Sequence, residues 1–225
     1  MNILAIETST RFLSVALWRD GDVSERRAES LTGGSALVLP WADELLAQAG
    51  IALADLQGIA FGAGPGSFTG LRLACGVAQG LAFGLDVPVI GVPTLAALAL
   101  ASGEARVLAC LDARMNEVYF AAYEINGGQV SEVLAPIVAP PAQIVWPPGA
   151  DWVGCGDGFA AYGAALPSLA HRRVDVFPTA AAVAALAAPR LARGERADAA
   201  LAAPLYVRDK VALTTAERFA RGGVR

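Results

Sequence analysis

The stretch GAGPGSFTGLR, residues 62–72, joins two long apolar runs and sets the character of the fold. The run before it, LQGIAFGAG, predicts a buried strand, and the run after it, TGLRLACGVAQGLAFG, predicts a helix. Gly64 and Gly66 permit a sharp turn between the two, and Ser67 or Thr69 is expected to cap a helix that starts near Gly70. A strand, a glycine-rich turn and a helix in succession are typical of an α/β protein.

The sequence on both sides of this unit extends the alternation of strands and helices. Upstream, the runs NILAIET, FLSVALW and VSERRAE predict three antiparallel strands, and GSALVLPWADELLAQAG predicts a helix that starts at Ser35 and ends at Gly50. Downstream, VPVIGV predicts a strand and TLAALALAS predicts a helix. The first part of the chain therefore has the order β-β-β-α-β-α-β-α.

The same order recurs from Ala105 onward, with little sequence identity between the two halves. The predicted elements are the strands ARVLACLD, EVYFAAYEI and QVSEVLAPIV, a short PAQIV helix, the strand DWVGCG, a helix over residues 157–166, the strand RVDVF and the helix TAAAVAALAAPRLARG. We therefore expect a first lobe over residues 1–103 and a second lobe over residues 104–225, whose C-terminal segment packs back on the first. Two duplicated lobes with helix-flanked sheets resemble the actin-like and sugar-kinase-like ATPase fold, a ribonuclease-H-like architecture.

Composition narrows the class of protein. Of the 225 residues, 55% are apolar, so the chain can bury a sizeable core without a metal or a disulfide. The 17 basic and 21 acidic residues give a net charge of −4, which argues against autonomous nucleic-acid binding through a broad cationic surface. Three dispersed cysteines and a strand-like start, MNILAIETST, without a signal-peptide pattern predict a cytoplasmic protein. The uncharged stretch over residues 73–85 is too short to span a bilayer.

Polar residues gather at two turns where strands end. Glu7, Thr8 and Ser9 follow the first strand, and they either face an anion, as in phosphate-binding hairpins, or close the strand ends as a polar turn. Asp112 and Arg114 occupy the equivalent turn of the second lobe, where they either orient a ligand across the cleft or pair with each other. The sequence leaves the distance between the two turns open.

The glycine-rich loop is a further candidate anion site. Free backbone amides at a helix start attract anions, and the residues that would face a nucleotide here are Gly64, Gly66, Ser67 and Thr69. A P-loop has a lysine after its last glycine, whereas Phe68 and Thr69 stand in this sequence. The loop therefore also fits a turn that only starts a helix.

Metal and nucleophile chemistry find little support. His171 is the single histidine and lies in the polar segment AHRRVD, so no Ser/His/Asp or Cys/His set can be assembled. Asp157, in VGCGDGF, fits either an adenosine-holding turn or a helix cap. We predict no catalytic residue, no metal and no cofactor.

The helix after the loop is apolar on all sides. Over residues 73–85 the only polar side chain is that of Gln79. A stripe of small residues runs along it at every fourth position, namely Gly76, Gly80 and Gly84. Such a stripe permits close approach by another helix, which is either the helix over residues 35–49 or one from a partner, and it also fits packing on the chain's own sheet.

Four motifs together indicate a family. ILAIETST, GPGSFTGLR followed by GLA, DARMNEVY and PLYVRDKVA stand in order between Ile3 and Ala212, and the sequence resembles the bacterial TsaB family, also called YeaZ. The resemblance implies the actin-like fold and a role as non-catalytic subunit and activator of TsaD, which forms N6-threonylcarbamoyladenosine next to the anticodon of tRNAs. It further implies a homodimer in isolation, a larger complex with the ATPase TsaE, contact with tRNA only through the complex, and no membrane association.

The resemblance also locates a partner surface, because family members use the two first-lobe helices to bind TsaD or a second copy of themselves. The residues expected at this interface are Leu37, Val38, Trp41, Leu45, Leu73, Gly76, Val77 and Gly80. Gly33 and Gly34 stand where many members carry a basic residue or a histidine, which weakens any prediction of polar contacts there.

The alignment with TsaD argues against a transferase centre. Thr94 and Leu98 align with two metal-binding histidines of TsaD, and neither side chain replaces imidazole as a ligand. One alternative is a small-molecule phosphotransferase or ATPase that uses Glu7, the loop over residues 64–69 and Asp112. Another is a metallopeptidase, for which the sequence offers no ligand cluster.

Overall fold

The computed structural model describes residues 1–29, 34–195 and 197–207. Five strands form a first sheet in the order β3-β2-β1-β4-β5: β1 (Asn2–Glu7), β2 (Phe12–Arg19), β3 (Asp22–Glu29), β4 (Gly58–Gly64) and β5 (Val89–Pro93). Its three helices are α1 (Ser35–Ala49), α2 (Phe68–Leu85) and α3 (Thr94–Ser102), with a 3₁₀ turn at Leu53–Asp55. The first three strands are antiparallel, and β4 and β5 run parallel to β1.

A second five-stranded sheet repeats this arrangement. Its order is β10-β9-β6-β7-β8, with β6 (Arg106–Arg114), β7 (Glu117–Asn126), β8 (Gln129–Ala139), β9 (Val153–Cys155) and β10 (His171–Arg173). The helices are α4 (Gly158–Tyr162) and α5 (Ala180–Ala192), with 3₁₀ turns at Pro141–Gln143 and Ala199–Leu201. When the strands of each sheet are counted along the chain, both sheets have the same spatial order: third, second, first, fourth, fifth. The predicted duplication is therefore confirmed.

The second half departs from the predicted elements in three places. The PAQIV helix is a single 3₁₀ turn, because prolines flank it on both sides and remove backbone donors. The helix over residues 157–166 covers five residues, since Gly163 ends it and Pro167 disfavours helical backbone before itself. The last strand covers residues 171–173 rather than RVDVF, because Val176 and Phe177 leave the sheet and are buried in the interior.

The layers show where the apolar faces are buried. Helices α1 and α2 pack on one face of the first sheet, and α5 packs on the opposite face. Helix α3 packs beside α5 and also covers one face of the second sheet, through Leu95 and Leu98. The other face of the second sheet is covered by α4 and by Ile144 and Trp152. Since α5 belongs to the second half of the sequence but packs on the first sheet, the division at residue 103 stays a prediction.

Residues 197–207, called here the C-terminal strap, lie against α2 and the first sheet. Ala197 forms an isolated bridge with Val89, at the start of β5. Further along, the backbone N–H of Leu205 donates to the carbonyl of Ala63, at 2.7 Å. These contacts support the expectation that the C-terminal segment packs on the first lobe, as far as Val207. The remainder of the PLYVRDKVA motif and Gly33 lie outside the described residues.

Among the described residues, α2 is the helix that is long and apolar enough to cross a membrane, by length and composition alone. Its inner face is nevertheless buried in the first-lobe core, at Leu71, Ala74, Cys75, Ala78 and Ala82. The helix is longer than the uncharged stretch noted in the sequence because it begins at Phe68 and includes Arg72. The same helix thus has a buried side, which its core position explains, and an apolar outer side, which the core does not explain.

Candidate functional site

The turn after β1 is buried and bonded to the glycine-rich loop. Glu7, Thr8 and Ser9 are all at most 5% exposed. The Glu7 Oε1 atom accepts the Ser9 backbone N–H at 2.6 Å, and the Thr8 hydroxyl donates to the Gly70 carbonyl at 2.6 Å. The Ser67 backbone N–H donates to the Ser9 carbonyl at 2.7 Å. These bonds hold the turn and the start of α2 together as one unit.

Three glycines allow this contact because they lack a Cβ. A Cβ on Gly62 would lie 1.8 Å from Glu7 Oε2, and one on Gly70 would lie 1.9 Å from the Thr8 carbonyl oxygen. A Cβ on Gly66 would lie 2.5 Å from the carbonyl oxygen of Ser9. The space that a phosphate would need on this side of the turn is therefore filled by the loop backbone, and anion binding by these residues stays a prediction.

Two buried polar atoms at this contact lack hydrogen-bond partners. They are Glu7 Oε2 and Ser9 Oγ. Burial raises the pKa of the Glu7 carboxyl above its usual value, and the backbone N–H groups of Ser9 and Thr8 oppose that rise only partly. The neutral acid is therefore favoured at this position relative to a solvated glutamate.

Helix α2 begins at Phe68, two residues before the predicted start near Gly70. The Ser67 hydroxyl accepts the Gly70 backbone N–H at 3.4 Å, so of the two proposed capping residues it is Ser67 that caps. The Gly64 N–H donates to the Thr94 hydroxyl at 3.1 Å, which links the loop to the start of α3. Thr94 and Leu98 are both fully buried, and no group of three His, Cys, Asp or Glu side chains suited to a metal occurs among the described residues.

The turn between β6 and β7 forms a separate polar cluster. The Arg114 guanidinium lies 3.0 Å from Asp112 Oδ2, and the Arg114 backbone N–H donates to Asp112 Oδ1 at 2.8 Å. The Tyr162 hydroxyl donates to the same Oδ1 at 3.1 Å. Of the two alternatives for Asp112 and Arg114, pairing within the turn is therefore the one observed. No hydrogen bond or ion pair joins Glu7 to Asp112 in the described chain.

Asp157 differs from its expected role. It occupies the cap position of α4, but its carboxylate does not bond to that helix. Instead, Oδ1 accepts the Asp112 backbone N–H at 3.0 Å and ties the two turns of the second lobe together. Burial, with a smaller contribution from the Asp112 charge, raises the pKa of Asp157. His171, by contrast, is exposed, as expected for a solvated segment.

The glycine stripe of α2 faces outward. Gly76, Gly80 and Gly84 are exposed, and a Cβ on any of them would meet no atom within 4 Å. The two alternatives in which α1 or the chain's own sheet packs against this stripe are therefore wrong. Phe83, on the same helix, is 80% exposed, and so the outer surface combines open backbone with an unburied aromatic ring.

The other residues of the predicted interface divide into two groups. Val38 and Leu45 are fully buried, because they point from α1 into the core with Leu46 and Phe61, so their predicted place in the partner interface is wrong. The remaining members stay at or near the surface: Leu37 is 37% exposed, and Trp41, Leu73 and Val77 are partly buried at the margin of the core.

Sequence reasoning missed the contacts of the C-terminal strap. Gln79, the lone polar side chain in its stretch, donates its amide to the Ala202 carbonyl at 2.8 Å. The Arg72 guanidinium lies 3.8 Å from the ring centroid of Phe68, and its Nε is 3.4 Å from the Tyr206 hydroxyl. The motif PLYVRDKVA and the isolated glutamine both stand out in the sequence. Nothing in the sequence predicts that these segments, more than 120 positions apart, are in contact.

The sequence matches a known family model and known proteins over most of its length. Residues 35–216 match the family model described as TsaD, tRNA N6-adenosine threonylcarbamoyltransferase. An Escherichia coli protein named tRNA threonylcarbamoyladenosine biosynthesis protein TsaB is 37% identical over 226 residues, which cover 94% of this chain and 96% of that protein. The chain belongs to the TsaB family. A Haemophilus influenzae member of the family is 46% identical over 124 residues, covering 53% of this chain and 52% of that protein.

Solved structures of TsaB relatives have the same fold. YeaZ from Pseudomonas aeruginosa superposes with a TM-score of 0.87 at 39% identity, covering 91% of this chain and 99% of that chain. A second Pseudomonas aeruginosa structure, described as an uncharacterized protein with similarity to peptidase YEAZ, gives a TM-score of 0.88 at 39% identity, covering 92% and 99%. The α/β fold predicted from the sequence is thereby confirmed.

Proposed function

We propose that this chain is a non-catalytic subunit and activator of a TsaD-containing complex that forms N6-threonylcarbamoyladenosine next to the anticodon of tRNAs. The observation that carries the proposal is the open outer face of α2, where three successive turns each expose a glycine, at Gly76, Gly80 and Gly84. A protein helix can approach such a face at backbone distance, and the family relationship supplies a reason for it to do so.

The docking surface comprises the outer sides of α1 and α2. Leu73 and Val77 lie on α2 with the glycines, Leu37 is an exposed residue of α1, and Trp41 lies at the margin of the core. Apolar residues at the margin and open backbone at the centre suit a helix-to-helix contact with TsaD. In the absence of TsaD, the same face serves a second copy of the chain.

A non-catalytic role is supported by what surrounds the acidic residues. Glu7 is packed against loop backbone, and Asp112 is occupied by Arg114 and Tyr162. Neither carboxylate is placed to act as a general base on a bound substrate. The phosphotransferase and metallopeptidase alternatives have no comparable observation in their favour, although one relative's description mentions a peptidase.

The remaining partners follow from the complex. TsaE joins as a separate ATPase, and tRNA is reached through the assembly, since this chain's net charge of −4 provides no broad cationic surface of its own. A tRNA-modifying assembly acts where tRNA is found, so the chain works in the cytoplasm and binds no membrane.

Association with TsaD tests the proposal directly. Gly80→Leu places a branched side chain at the centre of the docking surface, and we expect at least a tenfold loss of affinity in light scattering and a matching loss of threonylcarbamoyl transfer by the mixture. Ala185→Leu, at an exposed small residue of α5, is the matched control and should leave both unchanged. Undiminished binding of Gly80→Leu, or full transfer by TsaD without this chain, contradicts the proposal.

A further inference from the structure

We infer that the C-terminal strap is a third component of the docking surface, and that it binds the same partner protein as α1 and α2. The inference rests on the proposed function, because it adds a contact region to the proposed TsaD interface. Its occupant is an apolar helix of the partner that lies along the exposed side of α2 and carries a carboxylate near Arg72. Four observations, taken in turn below, carry it.

The strap is fixed to the molecule by its backbone. The Ala202 carbonyl accepts the Gln79 amide at 2.8 Å and lies 3.5 Å from the Cys75 sulfur, on the inner side. The Leu205 N–H donates to the Ala63 carbonyl at 2.7 Å. Because the backbone groups face inward and are used there, the strap presents much of its side-chain surface outward.

That side-chain surface is apolar and left uncovered. Residues 201–207 read LAAPLYV, seven apolar or aromatic residues in a row, and none of them is fully buried. Leu201 is 79% exposed and Tyr206 is 50% exposed. Single exposed apolar residues are ordinary, but a continuous apolar segment that is fixed in place and still largely exposed is typical of an interaction surface.

The strap adjoins the open face of α2. Cys75 and Gln79, which contact it, precede Gly76 and Gly80 by one residue each, and consecutive helical residues are about 100° apart around the axis. The strap therefore lies beside the glycine face of α2. Leu201 and Phe83, at 79% and 80% exposure, are the most exposed large apolar residues of the strap and of α2.

The charge on this surface indicates what the partner presents. Arg72 is the single charged residue of α2, and its guanidinium is positioned between the Phe68 ring and the Tyr206 hydroxyl. Next to it a pocket of about 50 Å³ is lined by Phe68, Leu71, Tyr119, Leu205 and other residues of the loop and strap. A partner carboxylate would meet Arg72 while a neighbouring apolar side chain enters the pocket.

The test uses the full chain with purified TsaD, and also follows self-association by light scattering. Leu201→Asp is expected to weaken TsaD binding at least tenfold, and Leu201→Ser is expected to weaken it less, because a charge at a dry interface costs more than lost apolar area. Val145→Asp, at a second-lobe residue that is 78% exposed, is the matched control and should bind normally. Thermal unfolding of each variant verifies that the fold is kept.

The outcomes separate this inference from the proposed function. If Leu201→Asp binds TsaD as tightly as the parent chain while Gly80→Leu does not, the strap is outside the interface and the proposed function stands. If Gly80→Leu also binds normally, both fail. If Val145→Asp weakens TsaD binding as much as Leu201→Asp does, the inference is also overturned, because an added negative charge would then weaken binding wherever it is placed on the surface.

Discussion

Gly62 illustrates how one missing carbon determines the state of a neighbouring acid. Its bare Cα lets the Glu7 carboxylate lie against β4, where water has no room and Oε2 has no partner. With a side chain at position 62, the Glu7 carboxyl would have to turn toward solvent. An unpaired buried carboxylate is costly, which favours the protonated acid in the packed arrangement. The pair of residues, rather than either alone, thus maintains the contact between the first turn and the glycine-rich loop.

We expect Gly62→Ala to destabilise the protein by about 1–3 kcal/mol, because the new Cβ would overlap Glu7 Oε2 and force the carboxylate to move. Gly80→Ala is the matched control: its Cβ meets nothing, and replacing a helical glycine should stabilise by up to about 1 kcal/mol. Urea unfolding of both variants measures the two effects. Equal free energies of unfolding for Gly62→Ala and the parent chain would be incompatible with the packing described.

The pH dependence of stability follows from the raised pKa of Glu7. Below the unfolded value of 4.5 both states are protonated, and above it the unfolded chain loses a proton that the folded chain keeps. Stability is therefore fully present at low pH and falls as pH rises through the folded pKa. Glu7→Gln removes this loss, so its free energy of unfolding should gain on the parent chain with increasing pH above 4.5. A difference that is constant with pH would refute the assignment.

The edge strands β3 and β8 are protected from pairing with a further strand by different features. Five of the eight residues of β3 are charged, and charged side chains discourage pairing with another strand. The edge strand β8 has one charge in eleven residues, but it contains Pro136 and two register shifts opposite β7. Bulges and proline disrupt the ladder there, so apolar β8 side chains do not make it a template for aggregation.

Sequence patterns predicted the elements whose signals are local. Strands β1 to β8, the capping of α2 at one of Ser67 and Thr69, and the end of α1 at Gly50 follow from alternation, capping and glycine, which act within a few residues. The lengths of α4 and β10 were wrong, because Pro167 and the burial of Phe177 override local propensity. Val38 and Leu45 were assigned to the surface because an apolar helix alone does not reveal which apolar residues its own core takes.

At the scale of the whole molecule, the halves of the chain exchange their last helices. Helix α5 covers Ile3, Ala5 and Ile90 of the first sheet. Helix α3 covers the second sheet and adds only Ala97 and Leu100 to this layer of the first. A fragment of residues 1–103 would lose the α5 part of that cover, although it contains every strand of the sheet.

We expect the 1–103 fragment to be unable to fold alone. It should bind a dye that detects exposed apolar surface and lose the cooperative thermal transition of the full chain, because Val183, Ala187 and Leu191 are missing from its core. Differential scanning calorimetry and dye fluorescence provide the measurements, with the full chain as reference. A sharp transition in the isolated fragment would mean that the predicted boundary at residue 103 separates independent folding units.

The position of α5 near the end of the sequence also bears on how the protein is made. A ribosome releases the strands of the first sheet early, but the helix that must cover them is synthesised about 100 residues later, roughly 5–20 s at ordinary elongation rates. During that interval the nascent chain carries an uncovered apolar face on an otherwise complete sheet. The late synthesis of α5 therefore postpones completion of the first lobe until residues 180–192 have been made.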